Sequence, residues 1–210
     1  MAKKLTDLQR EQIMETGIRE FADRGYDGAN TNEIARKAGI SVGVLFKYYK
    51  DKEGFFLACL DRSLDILRQV LGRVQSADCP AIEKAESLFR TLISFSREHG
   101  DYIRMYQMIS SGSNRVLTER LAEEIEGLSA EVYRSFIADA QEKGQLRKDI
   151  RPEIAAFFFD NLLMMLQFTY SCDYYKKRFQ MYTGLDAGDD ANDELIIKQL
   201  SAFTAAALSS

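Results

Sequence analysis

The sequence predicts an all-α protein, with a small N-terminal three-helix unit followed by a larger C-terminal helical domain. Apolar residues recur at three- and four-residue steps along most of the 210 residues, the spacing of one helix face. Only two prolines punctuate the chain, Trp is absent, and the alternating Val/Ile/Thr runs that build sheets are scarce. At 46% hydrophobic residues the chain can bury a substantial core, and its length suits two modest domains, divided here as 1–52 and 53–210.

A first helix is expected from Asp7 to Arg24, where Leu8, Ile13, Met14, Ile18, Phe21 and Ala22 form a stripe that stops at Arg24-Gly25. Tyr26, Asp27 and Gly28 read as a turn. Thr31 is a good N-cap for a second helix, in which Ile34, Ala35 and Ala38 fall at helical spacing before Gly39 reverses the chain. Ser41 then caps a third helix, Val42 to Tyr49. A longer helix opens with Lys52 and Glu53 and reaches about Gln75, and Ser76 to Pro80 breaks it. Pro80 suits the first turn of a helix running to about His99, which Gly100 ends.

Asp101 to Ser111 is apolar and aromatic, Gly112 to Asn114 is a second break, and Arg115 to Lys143 reads as one long helix stopped by Gly144. Pro152 and Glu153 start the most apolar helix, expected to reach about Arg178. After the polar loop Gly184 to Asn192, Asp193 to Leu208 forms a last amphipathic helix.

Composition removes several classes of function. Cys59, Cys79 and Cys172 are far apart and outside any CxxC pattern, which suggests buried thiols in a reducing compartment. His99 is the only histidine, so a site with several imidazole ligands is excluded, and no nucleophile–base constellation is present. No catalytic residue, metal or cofactor is therefore expected. The start MAKKLTDLQREQ is charged and carries no apolar run, so no signal peptide is expected there. Ile154 to Phe168 is very apolar, but Asp160, Asn161 and Gln167 interrupt it and it is shorter than a bilayer span, which reads as a buried helix. The net charge is −4, yet residues 1–52 hold ten Lys/Arg against eight Asp/Glu, so the slight positive end lies at the N-terminus.

Two short helices joined by a tight glycine turn, Thr31 to Glu53, match the geometry that pushes one helix into the DNA major groove. With Thr31, Ile34-Ala35, Ala38-Gly39-Ile40-Ser41, Gly43, Leu45-Phe46, Tyr48-Tyr49 and Lys52-Glu53, the chain resembles the TetR/AcrR family of bacterial transcription regulators over about residues 8–57. The resemblance implies a helix-turn-helix DNA-binding domain, a ligand-binding and dimerisation domain, and a cytoplasmic homodimer on a near-palindromic operator in double-stranded DNA. A repressor released by a small hydrophobic effector is the expected mode, the choice between repression and activation depending on operator position.

Carried to this chain, the resemblance implies that Thr31 binds a backbone phosphate at its helix N-terminus, and that Ser41, Val42, Gly43 and Val44 face base edges. Lys47 would reach a base or phosphate, and Tyr48 and Lys52 would clamp phosphates. Phe46 stands where the family often has tyrosine, which leaves apolar contact in place of a hydroxyl. Leu45 and Tyr49 fall at core spacing, and Lys50 reads as solvated.

In the C-terminal part, Phe89, Ile93, Tyr102, Met105, Tyr106, Ile109, Tyr133, Phe136 and Phe168 lie on helices expected to face a common interior. Such residues suit an adaptable apolar pocket with occasional hydroxyl donors. The helices from Pro152 and from Asp193 carry more apolar surface than a monomer needs, which suits a four-helix dimer interface. The alternative is an all-helical carrier of hydrophobic ligands that does not bind DNA.

Overall fold

Local backbone requirements set most helix boundaries in the computed structural model, which describes residues 5–76, 78–112 and 115–209. Helix α1 (Asp7–Gly28) opens on a capping box in which the Thr6 hydroxyl accepts from the Gln9 amide at 3.2 Å and the Gln9 side chain accepts from the Thr6 amide at 3.0 Å. The stop expected at Arg24-Gly25 is a kink: Gly25 takes φ 66° and ψ 177°, and one more helical turn follows.

Helix α2 (Thr31–Lys37) is capped by Asn30 and not by Thr31. Asn30 has extended backbone, and its Oδ1 accepts from the amides of Asn32 at 2.9 Å and Glu33 at 3.4 Å. Helix α3 (Val42–Tyr49) is capped as expected, the Ser41 hydroxyl accepting from the Val44 amide at 3.3 Å. Helix α4 (Lys52–Ser76) follows after a single tight turn.

Helix α5 (Ala81–Glu98) has Pro80 as its cap, one residue earlier than the first turn. Gly100 does not merely end α5, because α6 (Gly100–Ser110) starts on it with His99 shared as the joint. Of the second expected break, residues 113 and 114 lie outside the described residues. The single helix expected from Arg115 is α7 (Arg115–Leu121) and α8 (Gly127–Glu142) joined by a π turn, Ala122–Glu126. Gly144, at φ 71°, stops it.

Helix α9 (Pro152–Ser171) ends seven residues before Arg178, where Cys172 turns to φ −119° and ψ 123°. The Ser171 hydroxyl there donates to the Ser96 carbonyl at 3.3 Å, so the end of α9 is docked onto the joint of α5 and α6. Helix α10 (Asp173–Thr183) follows, and α11 (Asp190–Leu208) starts three residues before Asp193 because Asp189 caps it. The one β pairing among the described residues is an isolated antiparallel bridge, Leu146 to Ser209.

Two apolar clusters fill the interior, and α4 runs from one to the other. The N-terminal cluster joins Ile13, Phe21, Ile34 and Leu45 to Phe55 and Phe56 of α4, and also to Tyr102, Met105 and Ile109 of α6. The second joins Leu71 to Phe89, Ile137, Phe159, Leu163 and Ile197. Among the described residues no helix is long and apolar enough to cross a membrane.

The α1–α4 contact tolerates no added volume. A Cβ at Gly17 would lie 2.3 Å from the ring of Phe55, which is itself fully buried. Gly17→Ala is expected to destabilise the protein by roughly 1–3 kcal/mol through overpacking, read as a lower denaturant midpoint at unchanged m-value.

Candidate nucleic-acid interface and internal cavity

The α2–α3 turn is built from backbone bonds that only a left-handed residue allows. Gly39, at φ 68°, lets its own amide reach the Arg36 carbonyl at 3.2 Å and the Ile40 amide reach the Ala35 carbonyl at 3.0 Å. Ile40 then packs on the N-terminal cluster and fixes the entry into α3.

Helix α3 is divided by its own periodicity. Leu45 is fully buried, and Tyr49 is half-buried with its hydroxyl 3.5 Å from Met14 Sδ and its ring edge-on to Phe55. The opposite side leaves Ser41, Gly43, Lys47 and Tyr48 exposed, with Thr31, Val42, Val44, Phe46 and Lys52 half-buried. Val44 and Phe46 both lean on the N-terminal cluster. The Tyr48 hydroxyl accepts from the Leu5 amide at 3.0 Å, and Arg10 lies 5.7 Å over its ring. Lys52 is held at the rear of the turn, donating to the Asp27 carbonyl at 3.1 Å and lying 5.1 Å over the Tyr26 ring. Lys50, exposed, caps α3 at φ 70°.

One anchor of this unit carries no local sequence signal. Glu20 is 2% exposed, and its carboxylate takes Lys37 Nζ at 2.9 Å, Arg24 Nε at 3.1 Å and the Asn30 amide at 3.4 Å. It ties α1 to both ends of α2, and it draws Lys37 away from the face that α3 presents.

Polar bonds also clamp α1 to α6. The Tyr102 hydroxyl donates to Glu15 at 2.5 Å and accepts from Arg62 at 2.8 Å, and Arg62 also pairs with Glu11. One turn further along α1, Arg19 meets Asp101 at 3.0 Å and Asp23 meets Arg104 at 3.2 Å. Burial and the Glu15 carboxylate raise the Tyr102 phenol well above its ordinary pKa, so it stays a donor.

The other side of Tyr102 faces a partly open cavity of about 120 Å³ lined by α4, α5, α6, the π turn, α8 and α9. Of the residues expected there, Tyr102, Tyr106, Tyr133 and Phe168 line it. Phe89, Ile93, Met105, Ile109 and Phe136 do not. Phe89 and Phe136 pack around Phe159 and Ile93 sits in the same cluster, while Met105 and Ile109 belong to the face of α6 turned toward the N-terminal cluster. By the helical period 102, 105, 106 and 109 form one stripe of α6; its 102/106 edge lines the cavity, and its 105/109 edge, with Tyr102 shared, packs in the N-terminal cluster.

The cavity also takes in polar residues that the aromatic pattern did not indicate: Ser63, Glu126, Ser129, Asp160 and Gln167. The π turn supplies Ile125 and Glu126, and Glu126 accepts from the Tyr106 hydroxyl at 2.5 Å. Asp160, one of the residues that interrupt the apolar run of α9, has its pKa pushed up to about 6 by burial and by the neighbouring Glu126 charge. Among the described residues no group of His, Cys, Asp and Glu could hold a metal ion.

A carboxyl group whose pKa is higher in the folded chain than in the unfolded one opposes folding as pH rises from about 4 through 6. Asp160→Asn is therefore expected to stabilise the ligand-free protein at pH 7–8 by on the order of 1 kcal/mol. The gain should shrink toward pH 4, as measured by thermal unfolding across that range.

Comparison with known proteins agrees with this geometry. Residues 13–59 match the family model for bacterial regulatory proteins of the tetR family. The chain is 26% identical over 151 residues, 71% of its length and 75% of the relative's, to the HTH-type transcriptional repressor DhaR of Mycobacterium sp. (strain GP1). Its fold is that of AibR solved with isovaleryl coenzyme A and operator DNA, at TM-score 0.69 and 19% identity over 93% of this chain and 97% of the other. It is also that of the fatty acid degradation regulator FadR from Bacillus halodurans, at TM-score 0.73 and 17% identity over 96% of each chain. With the glycine turn and the exposed face of α3, residues 13–59 carry the N-terminal unit described for bacterial regulatory proteins of the tetR family, and the chain is similar to transcriptional regulators built on the same fold.

Proposed function

We propose that this protein is a cytoplasmic repressor that binds a near-palindromic operator as a homodimer and leaves it when a lipophilic small molecule enters the internal cavity. The observation that carries the reading is that one helix does both jobs. Tyr102 and Tyr106 of α6 line the cavity, while Tyr102 and Asp101 of the same helix hold α1. Residues 1–52 act as the DNA-binding head and 53–210 as the sensing and dimerising body. AibR, solved with both a small-molecule thioester and operator DNA, is a precedent for two such ligands on this fold.

In this reading Ser41, Val42, Gly43 and Val44 approach base edges. Thr31, Lys47, Tyr48 and Lys52 contact phosphates, and Phe46 adds apolar contact. With so few polar readers on α3, thymine methyls and DNA shape contribute to the choice of site. Dimerisation is supported by α9 and α11, where Phe157 and Phe158 are each 62% exposed and Phe203 is 59% exposed. A two-fold arrangement would set the two copies of α3 roughly 34–36 Å apart, one turn of DNA.

Fluorescence anisotropy with a palindromic fragment from upstream of the gene tests the first half. Lys47→Ala is expected to weaken binding several-fold and to lower the salt slope by about one; unchanged affinity and slope would remove Lys47 from the interface. Phe158→Asp tests the second half. The parent is expected to sediment as a dimer at micromolar concentration and the variant as a monomer, and a parent that is already monomeric defeats the dimer reading.

A further inference from the structure

Seventeen residues line the internal cavity, and none of them is Lys, Arg or His. Two are carboxylates, Glu126 and Asp160. Glu126 is bound by the Tyr106 hydroxyl at 2.5 Å, but the Asp160 carboxylate has no hydrogen bond and no ion pair among the described residues. Tyr133 gives a second, independent sign of an unfilled polar requirement. Its side chain is 3% exposed and lines the cavity, yet its hydroxyl also has no hydrogen-bond partner among the described residues. A polar atom that faces a cavity without a partner in the protein is open to a bond from whatever fills that cavity.

The charge that would complete this set is positive. Two carboxylates at one apolar cavity repel each other and any third anion, and no basic side chain lines the wall to offset them. Aromatic rings supply the remaining attraction: Phe95, Tyr102, Tyr106, Tyr133 and Phe168 present π faces and edges around the same space. Ring faces favour an organic ammonium with apolar substituents over a hydrated metal ion.

We propose that the cavity binds a lipophilic organic cation, an amine carried as its ammonium or a quaternary ammonium, with Asp160 and Glu126 as counter-charges and the tyrosine rings around the apolar part. This rests on the reading above that the cavity is the effector site. It separates this chain in ligand class from the fold relative solved with isovaleryl coenzyme A, a polyanion that would meet two like charges here. About 120 Å³ is small beside the pockets that enclose drug-sized ligands, so a compact cation with a single ring is the appropriate probe.

Calorimetric titration of the full-length, DNA-free protein with three probes of similar shape tests the proposal. They are benzyltrimethylammonium, its neutral carbon analogue 2,2-dimethylpropylbenzene, and the anion 4-tert-butylbenzoate. The cation is expected to bind at least tenfold more tightly than either of the others, and to lose about tenfold in Asp160→Asn and in Glu126→Gln, while the neutral probe binds the variants as it binds the parent. Asp160→Asn removes a charge that burial disfavours, and Glu126→Gln keeps an acceptor for the Tyr106 hydroxyl, so thermal unfolding is expected to report both variants as folded. No binding of the cation up to millimolar concentration, equal or tighter binding of the anion, or indifference of the cation to both substitutions overturns the proposal.

Operator anisotropy with the same probes keeps the two readings apart. If the cation binds the cavity but leaves the operator complex intact, the ligand class stands and the effector reading falls. If the neutral or anionic probe fills the cavity and releases DNA, the effector reading stands and the cation falls.

Discussion

Tyr102 is the residue on which the relation between the two parts of this molecule rests. It is 4% exposed, its hydroxyl bridges Glu15 of α1 and Arg62 of α4, and its ring lines the cavity. Charge-assisted bonds in a partly dry setting hold their geometry far better than solvated surface pairs. The α1 helix is therefore positioned from the body side, and α3 inherits that position. Leu45 seals α3 against the N-terminal cluster, and Glu20 fixes both ends of α2 to α1.

The body departs from ideal packing where the cavity lies. A regular helix in place of the π turn Ala122–Glu126 would change the angular position of every residue after it, and Glu126 would lose the phase that brings it to Tyr106. Asp160 stands on a helix whose neighbours at 156, 159 and 163 are buried apolar side chains, and its raised pKa expresses the cost of that setting. Strain and unmet polarity of this kind persist in folded proteins chiefly at sites that act on something else.

Much of the helix-turn-helix was legible because its determinants are local. A glycine between two short helices, a serine one residue ahead of Val42, and an apolar residue at each buried turn act within four or five residues of one another. The misplacement of the α2 cap is instructive: Asn30 and Thr31 both carry side chains able to cap, and the choice fell to whichever residue has extended backbone, which the packing of the preceding turn decides. The cavity was less legible. Five of nine expected lining residues pack elsewhere because an apolar side chain on a two-sided helix does not declare which neighbour it meets, and the polar wall came from residues that read as interruptions.

By itself the sequence determined the all-helical class, the glycine turn and the caps that shape α2 and α3, because hydrophobic periodicity and backbone capping are properties of neighbouring residues. Only the tertiary structure decided that Glu20 is a buried anchor, that one stripe of α6 meets α1 along one edge and the cavity along the other, and that Glu126 and Asp160 share one cavity. Those relations join residues dozens of positions apart, and they depend on the phase and crossing of whole helices, which local chemistry does not specify.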